Sequence, residues 1–208
     1  MIVVHHLNNS RSQRILWLLE ELGTPYEIRR YQRDAVTNLA PPELKAVHVL
    51  GKSPVITDGD ATIIESGAIT DYLIETYGGG RFAPAKAAAD WWRYVQWLHF
   101  AEGSAMTPLL LGLYAGRLGE AAAPIMPRIV EQMTAHLDYL SRELGHRQFL
   151  VGNDLTGADT MNSFVLEASS ARGPLGQFPN LVAYLERLQS RPAYRTALEK
   201  GGPYTIGR

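Results

Sequence analysis

Three consecutive glycines, Gly78 to Gly80, followed by Arg81-Phe82-Ala83-Pro84, break all hydrophobic periodicity and part the chain into two stretches with different patterns. Before the break, strand-like and helix-like segments alternate. Ile2 to Leu7 starts apolar and β-branched; Ile15, Leu18, Leu19 and Leu22 then recur at i, i+3, i+4 and i+7, with Gly23 as a stop. Tyr26 to Tyr31 alternates apolar and polar residues, as a strand with one buried face does. Pro41-Pro42 predicts the start of a short helix. Val55-Ile56-Thr57 and Thr62-Ile63-Ile64 flank Asp58-Gly59, which predicts a hairpin with a type I′ turn, and a helix is expected from Ser66 to about Tyr77. The expected order is β-α-β-(α)-β-β-α. Beyond the break only helical stripes occur, such as Trp91, Tyr94, Val95 and Leu98, or Met133, Leu137, Leu140 and Leu144, and the prolines that punctuate them suggest five or six helices. The pattern therefore predicts an α/β domain over residues 1–78 and an all-α helical-bundle domain over residues 86–208.

Composition narrows the function. With 20 basic and 21 acidic residues, a net charge of −1 and no long like-sign run, the chain has no electrostatic footprint for nucleic acid or an anionic membrane. No apolar run approaches the roughly 18 residues of a membrane helix, and Met1 to Ser10 lacks a secretory pattern, so a soluble cytoplasmic protein is the expectation. The absence of cysteine removes a disulfide framework, a thiolate metal site and any mechanism that needs a protein thiol. His5 and His6 are neighbours on a strand and point to opposite faces, so they cannot converge on one metal ion. No G-x-S-x-G elbow, phosphate loop, H-E-x-x-H or G-x-G-x-x-G is present. A small molecule or another protein chain is the expected partner, and no metal is expected.

Four short segments stand out: Ser10-Arg11-Ser12-Gln13-Arg14 after the first strand, Gly51-Lys52-Ser53-Pro54-Val55-Ile56, Glu65-Ser66-Gly67-Ala68-Ile69, and Leu155-Thr156-Gly157-Ala158-Asp159. In this order the first three resemble the glutathione-site segments of cytosolic glutathione transferases, and the fourth resembles that family's buried helix-capping motif. The resemblance covers essentially the whole chain and implies a thioredoxin-like N-terminal domain, a short linker and an all-helical C-terminal domain. One departure is Thr160, where the family usually has an aliphatic residue.

The resemblance implies a cis bond before Pro54, which costs an X-Pro bond only about 0.5 to 1 kcal/mol. The backbone N–H and C=O of Ser53 would then pair with the cysteinyl backbone of glutathione, leaving the Ser53 side chain nearly free to vary. Lys52 would supply a cation to a peptide carboxylate. At the third segment a strand end flows into a helix start, where exposed N–H groups favour an anion. Glu65 would meet the γ-glutamyl ammonium and Ser66 the adjacent carboxylate. Thr156 to Asp159 reads as a structural cap.

Ser10 to Gln13 is itself a capping box, with Ser at the N-cap and Gln at N3. A hydroxyl has one donor and two acceptor sites, so Ser10 can cap its helix and still donate its proton to a ligand sulfur. In the serine-bearing bacterial and fungal members this resemblance points to, that hydrogen bond to the glutathione thiolate is the catalytic one, and the family's Ser-x-x-x-Arg spacing is present as Ser10 and Arg14. A charged hydrogen bond of roughly 1.5 to 3 kcal/mol, with about 0.3 to 1 from a helix N-terminus, lowers a thiol pKa of about 8.5 by one to three units. Nucleophilicity falls with pKa, so activation by tens of fold is expected rather than thousands. Asn9 is the alternative contact to the sulfur, in which case Ser10 is only a cap. The expected activity is addition of glutathione to a hydrophobic electrophile, with Trp97, Phe100, Met106 and Tyr114 as candidate lining and a homodimer as the assembly. The alternatives are a glutathione-dependent peroxidase or disulfide reductase, and a non-catalytic transferase-like binding module.

Overall fold

The computed structural model describes residues 1–206 and divides them into two compact units, one comprising residues 1–82 with 189–205 and the other residues 83–188 with 206. The first unit is built on a four-stranded sheet, β1 (Ile2–Leu7), β2 (Tyr26–Tyr31), β3 (Val55–Asp58) and β4 (Ala61–Ile64), in the spatial order β2-β1-β3-β4. β1 runs parallel to β2, through the crossover helix α1 (Ser12–Leu22), and antiparallel to β3, which forms a hairpin with β4. The remaining helices of this part are the short α2 (Leu44–Val47) and α3 (Ser66–Tyr77). α1 and α3 pack against each other and against the sheet, while Leu7, Tyr31 and Leu44 form a small core with α2. This is the element order that the alternating pattern predicts and the thioredoxin-like arrangement that the resemblance implies.

Two local expectations change. The hairpin turns at Gly59-Asp60, because Asp58 still pairs with Ala61. Only Gly59 of the two has positive φ, at 58°, which is the type II′ pattern rather than type I′. Asp58, at the end of β3, accepts hydrogen bonds from the hydroxyls of Tyr72 and Tyr77, so α3 is tied to the end of this strand by a carboxylate.

The second unit is helical: α4 (Trp91–Phe100), a π-helical turn over Ala101–Ala105, α5 (Met106–Ala115), α6 (Met126–Leu144), α7 (Gly157–Arg172) and α8 (Pro179–Gln189). α7 is its central helix, and its residues from Gly157 to Ser169 are all buried. Asp159 caps it by accepting the Thr156 N–H at 2.7 Å and the Thr156 hydroxyl at 2.9 Å; its other oxygen takes the Leu150 N–H at 2.9 Å and the Tyr184 hydroxyl. Thr160 is buried too, with its hydroxyl donating to the Gly157 carbonyl at 3.0 Å, which is how a polar residue occupies an aliphatic position.

A second domain running to residue 208 does not describe what is seen at the C-terminus. The last helix, α9 (Pro192–Gly201), belongs to the first unit and packs on α1. Arg191 grips Glu21 through two nitrogen–oxygen contacts of 2.5 and 2.9 Å, Lys200 reaches Glu20 at 2.6 Å, and Tyr194 meets Trp17 edge-on at 5.5 Å. This contact explains why α1 is buried on nearly every side, including Ser12, Gln13 and Arg14.

Candidate active site

Strand directions alone gather the three predicted segments. β1 ends at Leu7, β3 begins at Val55 opposite His5, and β4 ends at Ile64 opposite Val55. The residues after Leu7, before Val55 and after Ile64 therefore leave or enter the sheet at one end. Asn9 and Ser10, then Lys52, Ser53 and Pro54, then Glu65 and Ser66, all lie on those exits. In an open sheet with flanking helices, this is where ligands bind.

The Ser53–Pro54 peptide bond is cis, and Pro54 is buried where β3 begins. Among the described residues, neither the N–H nor the C=O of Ser53 takes a backbone partner. The Ser53 side chain is not free to vary as expected. Its hydroxyl donates to the His5 carbonyl at 2.8 Å and accepts the Leu7 N–H at 3.2 Å, stitching this loop to the end of β1. Lys52 is exposed beside it and follows Gly51, which has a φ of 56°.

At the third segment, Glu65 is exposed and holds a φ of 66°, rare for a residue with a side chain. It occupies the N-cap position of α3 and makes no side-chain cap bond; its carbonyl accepts the Ile69 N–H at 2.8 Å. Ser66 is buried in the first helical turn, so it is not the N-cap. The first-turn N–H groups from Ser66 onward have no carbonyl one turn back, which leaves them to an anion or to water.

Ser10 is buried, at 6% exposure, and the expected capping box is only half formed. The Ser10 carbonyl accepts the Gln13 N–H at 3.2 Å, but its hydroxyl accepts the Ser12 N–H at 3.2 Å, one residue earlier than in a capping box. The Gln13 amide does not return to Ser10. It is enclosed against Gly201 of α9, where among the described residues neither of its polar atoms has a partner, and a Cβ on Gly201 would stand 2.6 Å from Gln13 Oε1. The Ser10 hydroxyl also lies 2.8 Å from the Ser12 hydroxyl, which in turn lies 2.8 Å from His6 Nδ1.

His6 is 3% exposed; burial first, and then the charge of Arg30, lower its pKa to about 4 against a raising contribution from the Gly201 backbone. His5 projects to the other face of β1, where Nδ1 bonds the Tyr31 hydroxyl at 2.9 Å. Its pKa is also lowered, by burial and then by Arg29. Among the described residues no group of three or more His, Asp or Glu side chains could hold a metal ion.

Asn9 has a φ of 49°, and its turn is held by Arg33, whose Nη2 donates to the Asn9 carbonyl at 3.3 Å and whose N–H donates to Asn8 Oδ1 at 2.8 Å. Asn9 Oδ1 accepts both the N–H and the hydroxyl of Thr205, at 2.8 and 3.2 Å. Of the residues expected to line an acceptor pocket, Trp97 and Met106 are buried core, Phe100 is half-buried, and Tyr114 is exposed. Trp97 is enclosed by Phe100 and Tyr139 at ring separations of 5.1 and 5.6 Å, so its side chain serves packing.

Sequence reasoning missed Ser12, His6 and Thr205. His6 carried one signal: it shares a strand face with Ile2 and Val4, an otherwise apolar row.

Comparison with known proteins agrees with this architecture. Family models described as the N-terminal and C-terminal domains of glutathione S-transferase match residues 1–75 and 113–192. Glutathione S-transferase 3 of Schizosaccharomyces pombe is 37% identical over 96% of this chain and 88% of its own length. Glutathione S-transferase 1 of Saccharomyces cerevisiae is 29% identical over 96% of this chain and 95% of its own. A crystal structure of a glutathione S-transferase from Actinobacillus pleuropneumoniae superposes with a TM-score of 0.89 at 36% identity, covering 97% of this chain and 93% of that one. A thioredoxin-like sheet with three candidate binding segments at one end, a helical second unit and these matches together mean that the chain belongs to the glutathione S-transferase family.

Proposed function

We propose that this glutathione transferase binds glutathione across the three exits of its sheet, ionises the thiol beside Ser10, and adds the thiolate to a small hydrophobic electrophile. The observation that carries this reading is the convergence of Asn9–Ser10, Lys52–Pro54 and Glu65–Ser66 at one sheet end. There, among the described residues, the Ser53 backbone N–H and C=O take no backbone partner and can serve the cysteinyl unit. The γ-glutamyl carboxylate goes to the first turn of α3 at Ser66, its ammonium to Glu65, and a peptide carboxylate to Lys52. Glutathione is a co-substrate, and no metal takes part in the mechanism.

Ser10 as the sulfur contact makes this a serine-type member. Asn9 supports a second reading, because Thr205 takes its Oδ1 and leaves the amide N–H groups as its means of donating to a ligand. Conjugation of hydrophobic electrophiles is a detoxifying reaction, and we assign the chain to the cytoplasm as a homodimer with no nucleic-acid or membrane partner. Among the described residues, no helix is long and apolar enough to cross a membrane.

Spectral titration of bound glutathione tests the site. Ser10→Ala should raise the bound thiol pKa by about one unit or more and lower turnover on an aryl halide by tens of fold. An unchanged pKa in Ser10→Ala with a raised one in Asn9→Ala transfers the role to Asn9. Comparing an aryl halide with an organic peroxide and a small disulfide separates conjugation from peroxidase or reductase chemistry. Failure to bind immobilised glutathione would leave only a non-catalytic module.

A further inference from the structure

We propose that Ser12 and His6 are positioning residues that hold the Ser10 proton inward at rest, so that Ser10 first accepts the S–H of glutathione and donates to sulfur only when this chain of hydrogen bonds reverses. The proposal rests on the glutathione reading above and describes what sets the acidity of that site.

The argument is a count of protons. Ser10 Oγ, Ser12 Oγ and His6 Nδ1 stand in a row with two separations of 2.8 Å, and each hydroxyl owns a single proton. The direction is therefore fixed at the inner end. His6 is buried and neutral at pH 7, so its ring has one proton. The Gly201 backbone lies against the side of this ring away from Ser12, where an added Cβ would stand 3.5 Å from His6 Cε1, and its raising effect on His6 is that of an acceptor, while Nδ1 faces Ser12. The proton thus belongs on Nε2, and Nδ1 can only accept.

Ser12 must then donate into His6. Among the described residues its other outlet is the Leu7 carbonyl at 3.3 Å, which draws the same proton away from Ser10. Either way Ser12 Oγ presents a lone pair to Ser10, and Ser10 fills the 2.8 Å contact with its own proton. Of the two Ser10 lone pairs, one accepts the Ser12 N–H. The other is what remains for a ligand.

A neutral thiol suits that lone pair, and a thiolate does not. On ionisation the thiol proton leaves to solvent, Ser10 turns its own proton to sulfur, and Ser12 turns toward Ser10, leaving His6 Nδ1 bare. One buried hydrogen bond is lost. Bound glutathione should therefore be about tenfold less acidic than an unrestrained serine would make it.

Two measurements decide the matter. Nitrogen-15 spectra of the full chain without ligand should show His6 protonated at Nε2 and bare at Nδ1; a proton on Nδ1 overturns the proposal. Ultraviolet titration of bound glutathione should show Ser12→Ala increasing the thiol acid dissociation constant about tenfold, whereas general loosening of the site would decrease it. In a Ser10→Ala background the same substitution should change nothing. Should Ser12→Ala fail to fold, His6→Phe removes the inner acceptor and should act in the same direction. A decrease, or an equal increase with and without Ser10, overturns the proposal. If the unaltered protein binds no glutathione, the parent reading fails, and the tautomer alone decides the direction of the chain.

Discussion

The neutral ring of His6 couples folding to pH. Its pKa is about 4 in the folded protein, from burial and the Arg30 charge, against 6.5 when unfolded. Between those values the unfolded chain binds a proton that the folded chain refuses, so stability rises with pH across that window. The contribution is fully present above about 6.5 and lost as pH falls toward 4, about 3 kcal/mol in all. His5, lowered in the same direction, adds to it. Urea midpoints measured at pH 7 and pH 4.5 should fall with pH, and His6→Phe should flatten the change.

Asp159 offers a contrast within the second unit. Its oxygens receive donors from Thr156, Leu150 and Tyr184, so Asp159→Asn turns an NH2 against donors and should cost about 3 kcal/mol by denaturant unfolding. Thr160→Val removes one hydroxyl bonded within its own helix turn and should stay within about 1 kcal/mol. The capping role of Thr156 and Asp159 was legible because both partners lie three residues apart. The stitching role of the Ser53 hydroxyl was not, because its partners are 48 and 46 residues away in sequence.

Among the elements, α9 is the one whose position the sequence could not supply. An amphipathic helix shows the same period whichever core it serves, so Pro192 to Gly201 read as one more helix of the second domain. What places it is a set of pairings to α1: Arg191 with Glu21, Lys200 with Glu20, and Tyr194 with Trp17. Gly201 is the tightest point. An added Cβ would meet Gln13 Oε1 at 2.6 Å and Leu16 Cδ1 at 3.1 Å, so Gly201→Ala must lift the end of α9 or displace Gln13. A loss of about 1 to 3 kcal/mol is expected in thermal unfolding, with faster amide exchange confined to α9 and the start of α1. Strands and turns were easier. Alternation located β2 and apolar β-branched runs the other three strands, while the hairpin missed both the position and the type of its turn, because Asp58 remains paired and the turn begins at Gly59.

Across the whole chain, the end of the sequence returns to its beginning. The triglycine break at Gly78 to Gly80 marked the passage from α/β to helical patterning, and the two compact units part close by, between Phe82 and Ala83. The three candidate segments were named through their resemblance to a known family, and it is the strand pairings that bring them to one sheet end. The hidden part is the support that residues 189–205 give that end. Gly201 acts on His6, Thr205 binds Asn9, and α9 covers α1 beneath Ser10 and Ser12. Such contacts span up to 196 residues and leave no local pattern. They predict that a chain ending at Leu188 is impaired in its first unit above all. Removing α9 uncovers Trp17 and Leu16, which are fully buried, along with the unpartnered amide of Gln13. Exposing one such large side chain alone costs about 1.5 to 3 kcal/mol. Amides of β1, β3 and α1 should then exchange about a hundredfold faster than in the full chain, while those of α6 and α7 should change little. Equal acceleration in both units, measured by hydrogen exchange with mass spectrometry, would show that α9 does not serve the first unit in particular. Protection of β1 and α1 unchanged from the full chain would show that the C-terminal segment is not needed to hold the site.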